Sequence, residues 1–400
     1  MINRRSMLRG GGAAAIGMLG IAAGESGITP ASASADVHAV LGDPAGSPRP
    51  HLRQHYRQTN LVASSPAVGV AETTDPNLRS AWGMAQSADG PWWVTNQFSK
   101  LATVYSGRGT IQPTVVKIPI ADPVKMWSGP TGIVFNPSQG FVLANGRPAT
   151  FLICTMDGLI VGWNQDLAGN TAQIIFNRTG TSIYDGMAIS PATVDGAAGC
   201  YLFVPDFKAF RVDVFDGNFQ HARKIEKGIN SFRTPAGYAP LNITAVGGNV
   251  YVTYAKPDPD PFFDGALPVI AGGNGLVASF SPEGKLNQVL QHGQFLNGPW
   301  GVTLAPGNFG LYSHHLLVGN NGDGKINVYN PVTGAFVDQL RDISDNPIAI
   351  RGLWGMFFGN NTEIGGSATS LFFASSAGDD YTGGLFGKLT PVQNEFGSGL

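Results

Sequence analysis

A short strand ending in an aromatic residue recurs along this chain, and that recurrence constrains the fold more than any other feature. Its copies are Ala102-Thr103-Val104-Tyr105, Ile160-Val161-Gly162-Trp163, Val212-Asp213-Val214-Phe215, Val277-Ala278-Ser279-Phe280 and Ile326-Asn327-Val328-Tyr329. A sixth, Phe386-Gly387-Lys388-Leu389, has Leu for the aromatic. The copies end 49 to 65 residues apart, a spacing that marks a repeat architecture. Before each lies an apolar strand such as Trp92-Trp93-Val94 or Leu316-Leu317-Val318, and before that an x-Gly-apolar element. The latter reads Trp82-Gly83, Thr131-Gly132, Asp185-Gly186, Trp300-Gly301 and Trp354-Gly355, with Asn242-Ile243 in the fourth copy. A fourth strand follows, as in Thr114-Val115-Val116-Lys117-Ile118. Most strands alternate with period two. Four strands in each of six units predict an all-β, six-bladed β-propeller, whose radial blades leave only short edges. Residues 56–63 read as a strand ahead of the first unit. They are expected to close the ring by pairing outside Phe386–Leu389 in the last blade.

Composition agrees and narrows the function classes. Gly numbers 55 of 400 residues, the hydrophobic fraction is 43% and charged residues are 13%. Such a chain can build a core, whereas disorder needs low hydrophobicity and high charge. The net charge is −2, and no basic stripe suggests a nucleic-acid partner. Two cysteines make neither a disulfide framework nor a four-thiolate metal site; a Cys154–Cys200 disulfide after export stays open.

Residues 1–35 look like a twin-arginine export signal. Arg4-Arg5 precede a short Gly/Ala-rich apolar stretch and Ala33-Ser34-Ala35, a small-residue cleavage site. The expected organisation is a signal over 1–35, a flexible linker over 36–53, the propeller over 54–392 and a tail over 393–400. The protein is then secreted, periplasmic or held in the cell envelope. The export machinery is its first partner, and no stable membrane insertion follows cleavage.

Propeller geometry places the start of each inner strand and the end of the next strand around one channel mouth. The first ring is Trp82, Thr131, Asp185, Asn242, Trp300 and Trp354. Blades five, six and one are neighbours through closure, so the three Trp form an aromatic arc facing a polar one. The second ring is Asn96, Met156, Asp206, Tyr254, Asn320 and Ser376, secure to about one residue. A small organic or sugar-like ligand would meet Trp82, Trp300, Trp354, Thr131, Tyr254 and Asn96. Asp185 and Asp206 are candidate acid/base groups, since like charges that approach raise one pKa. With Asn242 and Asn320 they form an oxygen donor set suited to Ca²⁺. A long insertion over residues 256–274, containing Phe262 and Phe263, is expected to rise over the same mouth as a lid. Asn321-Gly322-Asp323-Gly324 is better read as a turn than as a calcium loop.

The chain resembles the six-bladed propellers of the NHL-repeat and gluconolactonase-like group. It is more similar still to a family of exported bacterial propellers of unknown function. Trp82-Gly83, residues 251–256 (Tyr-Val-Thr-Tyr-Ala-Lys), Gly272-Gly273-Asn274-Gly275 and residues 320–326 carry the likeness, which spans about 55–392. Gluconolactonase-like relatives imply a metal-assisted hydrolase or lyase, although Trp82 stands where their first blade offers an acidic ligand. Three functions fit this pattern: a ligand-binding protein, a Ca²⁺-assisted hydrolase or lyase using Asp185 and Asp206, and a non-catalytic envelope scaffold.

Overall fold

The computed structural model describes residues 53–122, 127–378 and 381–392. The export signal, nearly all of the linker and the C-terminal tail expected from sequence lie outside them. The described residues form a six-bladed β-propeller. Its blades start at inner strands Ala81–Ala85, Pro130–Phe135, Ala188–Val194, Ala239–Val246, Pro299–Leu304 and Leu353–Phe358. The first strand, Tyr56–Ala63, pairs antiparallel with Leu385–Pro391 in the last blade, Tyr56 opposite Pro391 and Val62 opposite Phe386. The two ends of the ring are thus joined by backbone hydrogen bonds in the expected place.

The repeated aromatic has a packing reason. It ends the third strand of its blade and fills the space between adjacent blades. Trp163 of blade two lies 4.9 Å from Trp93 of blade one, and Phe151 lies 4.4 Å from the same ring. Phe215 of blade three stacks at 4.7 Å on Phe176 of blade two. Tyr105 stacks at 5.6 Å on Phe386 across the closure. Aromatic pairs at such separations add to the stabilisation from area burial.

The x-Gly element also has a structural cause. In blade one, Ala81 pairs with Asn96 and Met84 with Val94, so Trp82 and Gly83 together face one residue, Thr95. Blades two, five and six repeat this at Thr131-Gly132, Trp300-Gly301 and Trp354-Gly355. Each is a β-bulge, which bends the strand and re-aims a side chain. The bulges abut around the axis. A Cβ on Gly83 would collide with the Thr131 carbonyl, and one on Gly132 would lie 2.7 Å from Gly186 Cα. One on Gly301 would lie 2.7 Å from the Trp354 carbonyl, and one on Gly355 would lie 2.8 Å from that of Trp82. The fourth copy has Ile243 instead, and there Asn242 bridges the gap by donating Nδ2–H to the Trp300 carbonyl at 2.8 Å.

Blade three departs from the four-strand expectation. It has three strands, and the fourth place is taken by the helix Arg223–Asn230. Ile225 and Ile229, one turn apart, face the core between blades three and four. The helix also supplies hydrogen bonds that a strand would have made. Asn230 accepts from Val212 N–H at 2.8 Å and donates to its carbonyl at 2.9 Å. Glu226 Oε1 accepts from Val214 N–H at 3.0 Å. The edge of strand Arg211–Phe215 is therefore satisfied by side chains of the helix and, at the Val214 carbonyl, by the Ala222 N–H.

Candidate functional site

The channel has two unlike ends. At the end where the inner strands start, Trp82, Trp300 and Trp354 are buried and pack on one another. Trp82 and Trp354 stack with ring centroids 3.6 Å apart, and Trp300 meets Trp354 edge-on at 5.9 Å. Their indole N–H groups are spent inside the protein: Trp82 on Ser80 Oγ, Trp354 on Ser376 Oγ and Trp300 on the Asp185 carbonyl. With Met156, Ile183, Phe207 and Leu241 they form one apolar cluster across the channel. The aromatic arc read from sequence is real in position, and it fills the channel rather than lining an open mouth. At the opposite end a cavity of about 380 Å³ is bordered by Met84, Ile133, Met187, Thr244 and Phe357.

The polar arc is buried beside the Trp cluster, Trp300 donating its indole N–H to the Asp185 carbonyl and accepting from the Asn242 amide at its own carbonyl. Asp185 is fully buried, and neither carboxylate oxygen has a hydrogen-bond partner. Burial pushes its pKa well above the usual carboxylate range, and the Asp206 charge adds to this. Asp206 is also buried and raised, chiefly by burial; the Ser182 hydroxyl and the N–H groups of Ala209 and Ile183 oppose the rise. Its Oδ1 accepts from Ala209 at 3.0 Å and Ile183 at 3.3 Å, while Oδ2 faces Arg211 Nη2 at 3.6 Å. Asn242 Oδ1 has no donor and points at Gly186, next to Asp185. The oxygens of Asp185 and Asn242 are thus acceptors without donors, and burial favours the protonated form of Asp185.

The remaining candidates are more dispersed. Thr131 ties blades together by donating to the Tyr184 carbonyl at 2.6 Å. Asn96 donates to Thr103 Oγ1 at 2.8 Å, and its own Oδ1 has no partner. Asn320 is occupied at both ends, donating to the Phe295 carbonyl and accepting from Asn297 N–H. Tyr254 packs against Phe232 in the core between blades three and four, away from the Trp cluster. Cys154 and Cys200 are both free. Residues 321–323 form a turn in which Gly324 N–H donates to the Asn320 carbonyl.

A second cavity, of about 280 Å³, lies on the Trp-filled end, between blades two and three and under the blade-four insertion. Its aromatic wall is Trp127, Phe262 and Phe263. Trp127 meets the two Phe rings at 5.8 and 5.5 Å and donates its indole N–H to the Phe262 carbonyl at 2.8 Å. Phe263 is buried in the channel cluster, whereas Phe262 is 42% exposed. Asp157, Ser182, Lys208 and Asp264 supply the polar rim. Lys208 Nζ lies 3.9 Å from Asp264 Oδ2, and Asp157 Oδ2 accepts from Ala121 N–H at 2.6 Å. Ser182 and Ile183 belong to this wall and also contact Asp206, so the cavity borders the buried carboxylates. The lid reading of 256–274 anticipated Phe262 and Phe263. Trp127, Asp157 and Lys208 were missed because they sit on connections outside the repeated strands. A lone Trp in a connection was the one available signal.

These features define a six-bladed propeller with a plugged channel and a roofed side cavity. No family model matches the chain. Two uncharacterized proteins of Acanthamoeba polyphaga mimivirus are each 29% identical to it, over 81% of this chain and 78% and 83% of their own lengths. Among solved structures, a streptogramin B lyase aligns with a TM-score of 0.47 at 14% identity, over 85% of this chain and 98% of that one. A glucose dehydrogenase gives 0.48 at 12% identity, over 78% and 96%. A gluconolactonase from Xanthomonas campestris gives 0.36 at 15% identity, over 66% and 86%. Among the described residues, no helix is long and apolar enough to cross a membrane.

Proposed function

We propose that this protein binds a small, partly apolar organic molecule in the cavity beneath the blade-four insertion. The observation that carries this reading is the aromatic wall of Trp127, Phe262 and Phe263 over a rim of Asp157, Ser182, Lys208 and Asp264. Ligand sites combine apolar faces with a few placed polar groups in this way, and aromatic faces offer large contact area. Trp82, Trp300 and Trp354 then act as the floor that keeps the ligand out of the channel. A neutral nitrophenyl glycoside is a suitable probe, because a nitrophenyl ring stacked near Trp127 quenches its fluorescence. Saturable quenching is expected, with affinity about ten-fold weaker in Phe262→Ala, a loss of about 1.4 kcal/mol. Quenching that rises without saturation, or is equal in the variant, overturns the reading.

A second reading rests on Asp185, whose two oxygens have no partner. Its oxygens, with those of Asp206 and Asn242, suit a small hard cation such as Ca²⁺. Bound there, the ion would neutralise the paired carboxylates and polarise a carbonyl. The engaged amide of Asn320 argues against a fourth ligand at that position. Metal analysis with thermal unfolding in calcium and in chelator tests this, since a ligand of the native state raises the unfolding midpoint. No bound metal and no shift would remove the metal-assisted hydrolase. The Arg4-Arg5 segment supports export, checked by whether the mature N-terminus follows Ala35.

A further inference from the structure

Blade three carries another concave site, on its outer edge and away from the channel. A cavity of about 460 Å³ lies among strand Arg211–Phe215, the helix Arg223–Asn230 and Arg178 of blade two. All its lining residues are polar or charged. Four cations, Arg178, Arg211, Arg223 and Lys227, face two carboxylates, Asp213 and Glu226.

Asp213, His221 and Glu226 bring their donor atoms within 4.8 Å of one another, as a metal site would. The surroundings oppose a metal. Arg211 Nε donates to Asp213 Oδ1 at 2.8 Å, and Arg178 Nη1 lies 3.5 Å from Oδ2. Glu226 Oε2 accepts from Arg223 at 3.0 Å, and Oε1 accepts from Val214 N–H. Arg178 Nη2 lies 2.9 Å from His221 Nε2, and a guanidinium only donates. His221 Nε2 is therefore the acceptor, and its proton sits on Nδ1, donating to Glu226 Oε1 at 2.5 Å. The ring is neutral in this tautomer, and a metal ion would enter among three guanidiniums.

The same contacts prepare the site for an anion. Within the lining the two carboxylates hold the guanidiniums in place and are outnumbered by the four cations; Asp206, 3.6 Å from Arg211, lies outside the lining. A guanidinium has five N–H donors. Arg178 and Arg211 each reach two neighbouring acceptors through two of their nitrogens, and Arg223 reaches one, so further donors remain. No acceptor pairs with Lys227 among the described residues. We propose that this cavity binds a multiply charged oxyanion, a phosphate monoester or diphosphate group, through Arg178, Arg211, Arg223 and Lys227. Planar guanidinium forks suit phosphate oxygens, and the cavity leaves room for an organic remainder.

Pyrophosphate titrated calorimetrically into the whole protein at low salt tests this. Arg223 is largely exposed and Lys227 is exposed, so an Arg223→Ala/Lys227→Ala variant should fold normally, as its unfolding midpoint without ligand will report. One pyrophosphate per chain is expected, binding at least about ten-fold more weakly in the variant and weakening with added salt. A parallel arm uses phosphatidylcholine vesicles with and without phosphatidic acid. Pyrophosphate binding without vesicle binding assigns the site to soluble phosphate compounds, and vesicle binding lost in the variant assigns it to a lipid headgroup. Binding of neither, equal binding by both proteins, or stoichiometric Zn²⁺ uptake in its place overturns the proposal.

Discussion

Blade three holds buried carboxylates in two places, and Asp185 and Asp213 are treated in opposite ways. Asp185 and Asp206 lie by the channel, and Asp213 and Glu226 at the outer edge. Asp213 and Asp185 are almost equally buried, at 2% and 0% exposed. Asp213 accepts hydrogen bonds from Arg211 and Tyr184, with Arg178 beside it, whereas Asp185 accepts none. Arg211 spans the two groups, 2.8 Å from Asp213 and 3.6 Å from Asp206. Burial alone therefore does not decide how a carboxylate is held; the donors within reach do. The outer pair is built as a charged scaffold. The inner carboxylate of Asp185 has no such donors, and burial with the Asp206 charge pushes its pKa well above the usual carboxylate range.

The largest effect is expected from removing a wall of the inner site. Trp300→Ala should cost about 3–5 kcal/mol, the usual range for an aromatic core truncation. Water admitted beside Asp185 should lower its pKa toward the ordinary range, read from its carboxyl infrared band. Denaturant unfolding gives the cost, and an Asp185 band unchanged with pH would break the contrast.

Asp213→Ala comes next. It strands Arg178 and Arg211, and breaking a buried pair costs about 3–5 kcal/mol, reduced here toward about 3 because both guanidiniums reach water. Urea midpoints measure it. A loss under about 1 kcal/mol would mean the outer charges are not a scaffold.

Asp185→Asn should act in the other direction. In metal-free protein, the folded carboxyl holds its proton to higher pH than the unfolded one. The stability it contributes is complete below the unfolded pKa and is lost as pH rises through the folded one. The variant removes that decline. At neutral pH it should be more stable than wild type by about 1–3 kcal/mol, the cost of an unsatisfied buried polar group. Unfolding series from acid to neutral pH test it, and parallel curves for the two proteins would contradict it.

The smallest effect on stability belongs to Arg223→Ala, about 1 kcal/mol, because the guanidinium is largely exposed and Glu226 keeps its contacts with Val214 N–H and His221. Its value lies in separating scaffold from ligand, because pyrophosphate affinity should fall markedly while the unfolding midpoint falls only slightly.

Much of the fold was legible in the sequence because propeller blades repeat their constraints. The aromatic ends, the apolar second strands and the x-Gly elements each recur where blades meet or approach the axis. The closing strand at 56–63 was readable because an unpaired apolar strand before the first blade has one partner left. The helix Arg223–Asn230 was missed, although Ile225 and Ile229 at a spacing of four, among charged residues, carry the signal of a helix. The three Trp of the first ring do meet at the channel, together with Met156 of the second. The side-chain directions around the channel were not legible, since a bulge re-aims side chains in a way that spacing does not encode. On the second strand of blade four the side chains alternate, so Ala255 joins the channel cluster while Tyr254 faces an inter-blade core, and three Trp fill a channel that alternation alone would leave open.

The sequence by itself determined the six blades, the point of closure and the glycines around the axis, because these depend on local period and on repetition. Only the tertiary structure decided which polar groups meet. Arg178, Arg211 and Arg223 come from two blades and a helix, and Trp127 meets Phe262 across 135 residues. Such contacts are set by how bent strands and connecting segments pack in space. Whether a buried carboxylate finds a donor there is a property of that packing, and it separates Asp185 from Asp213.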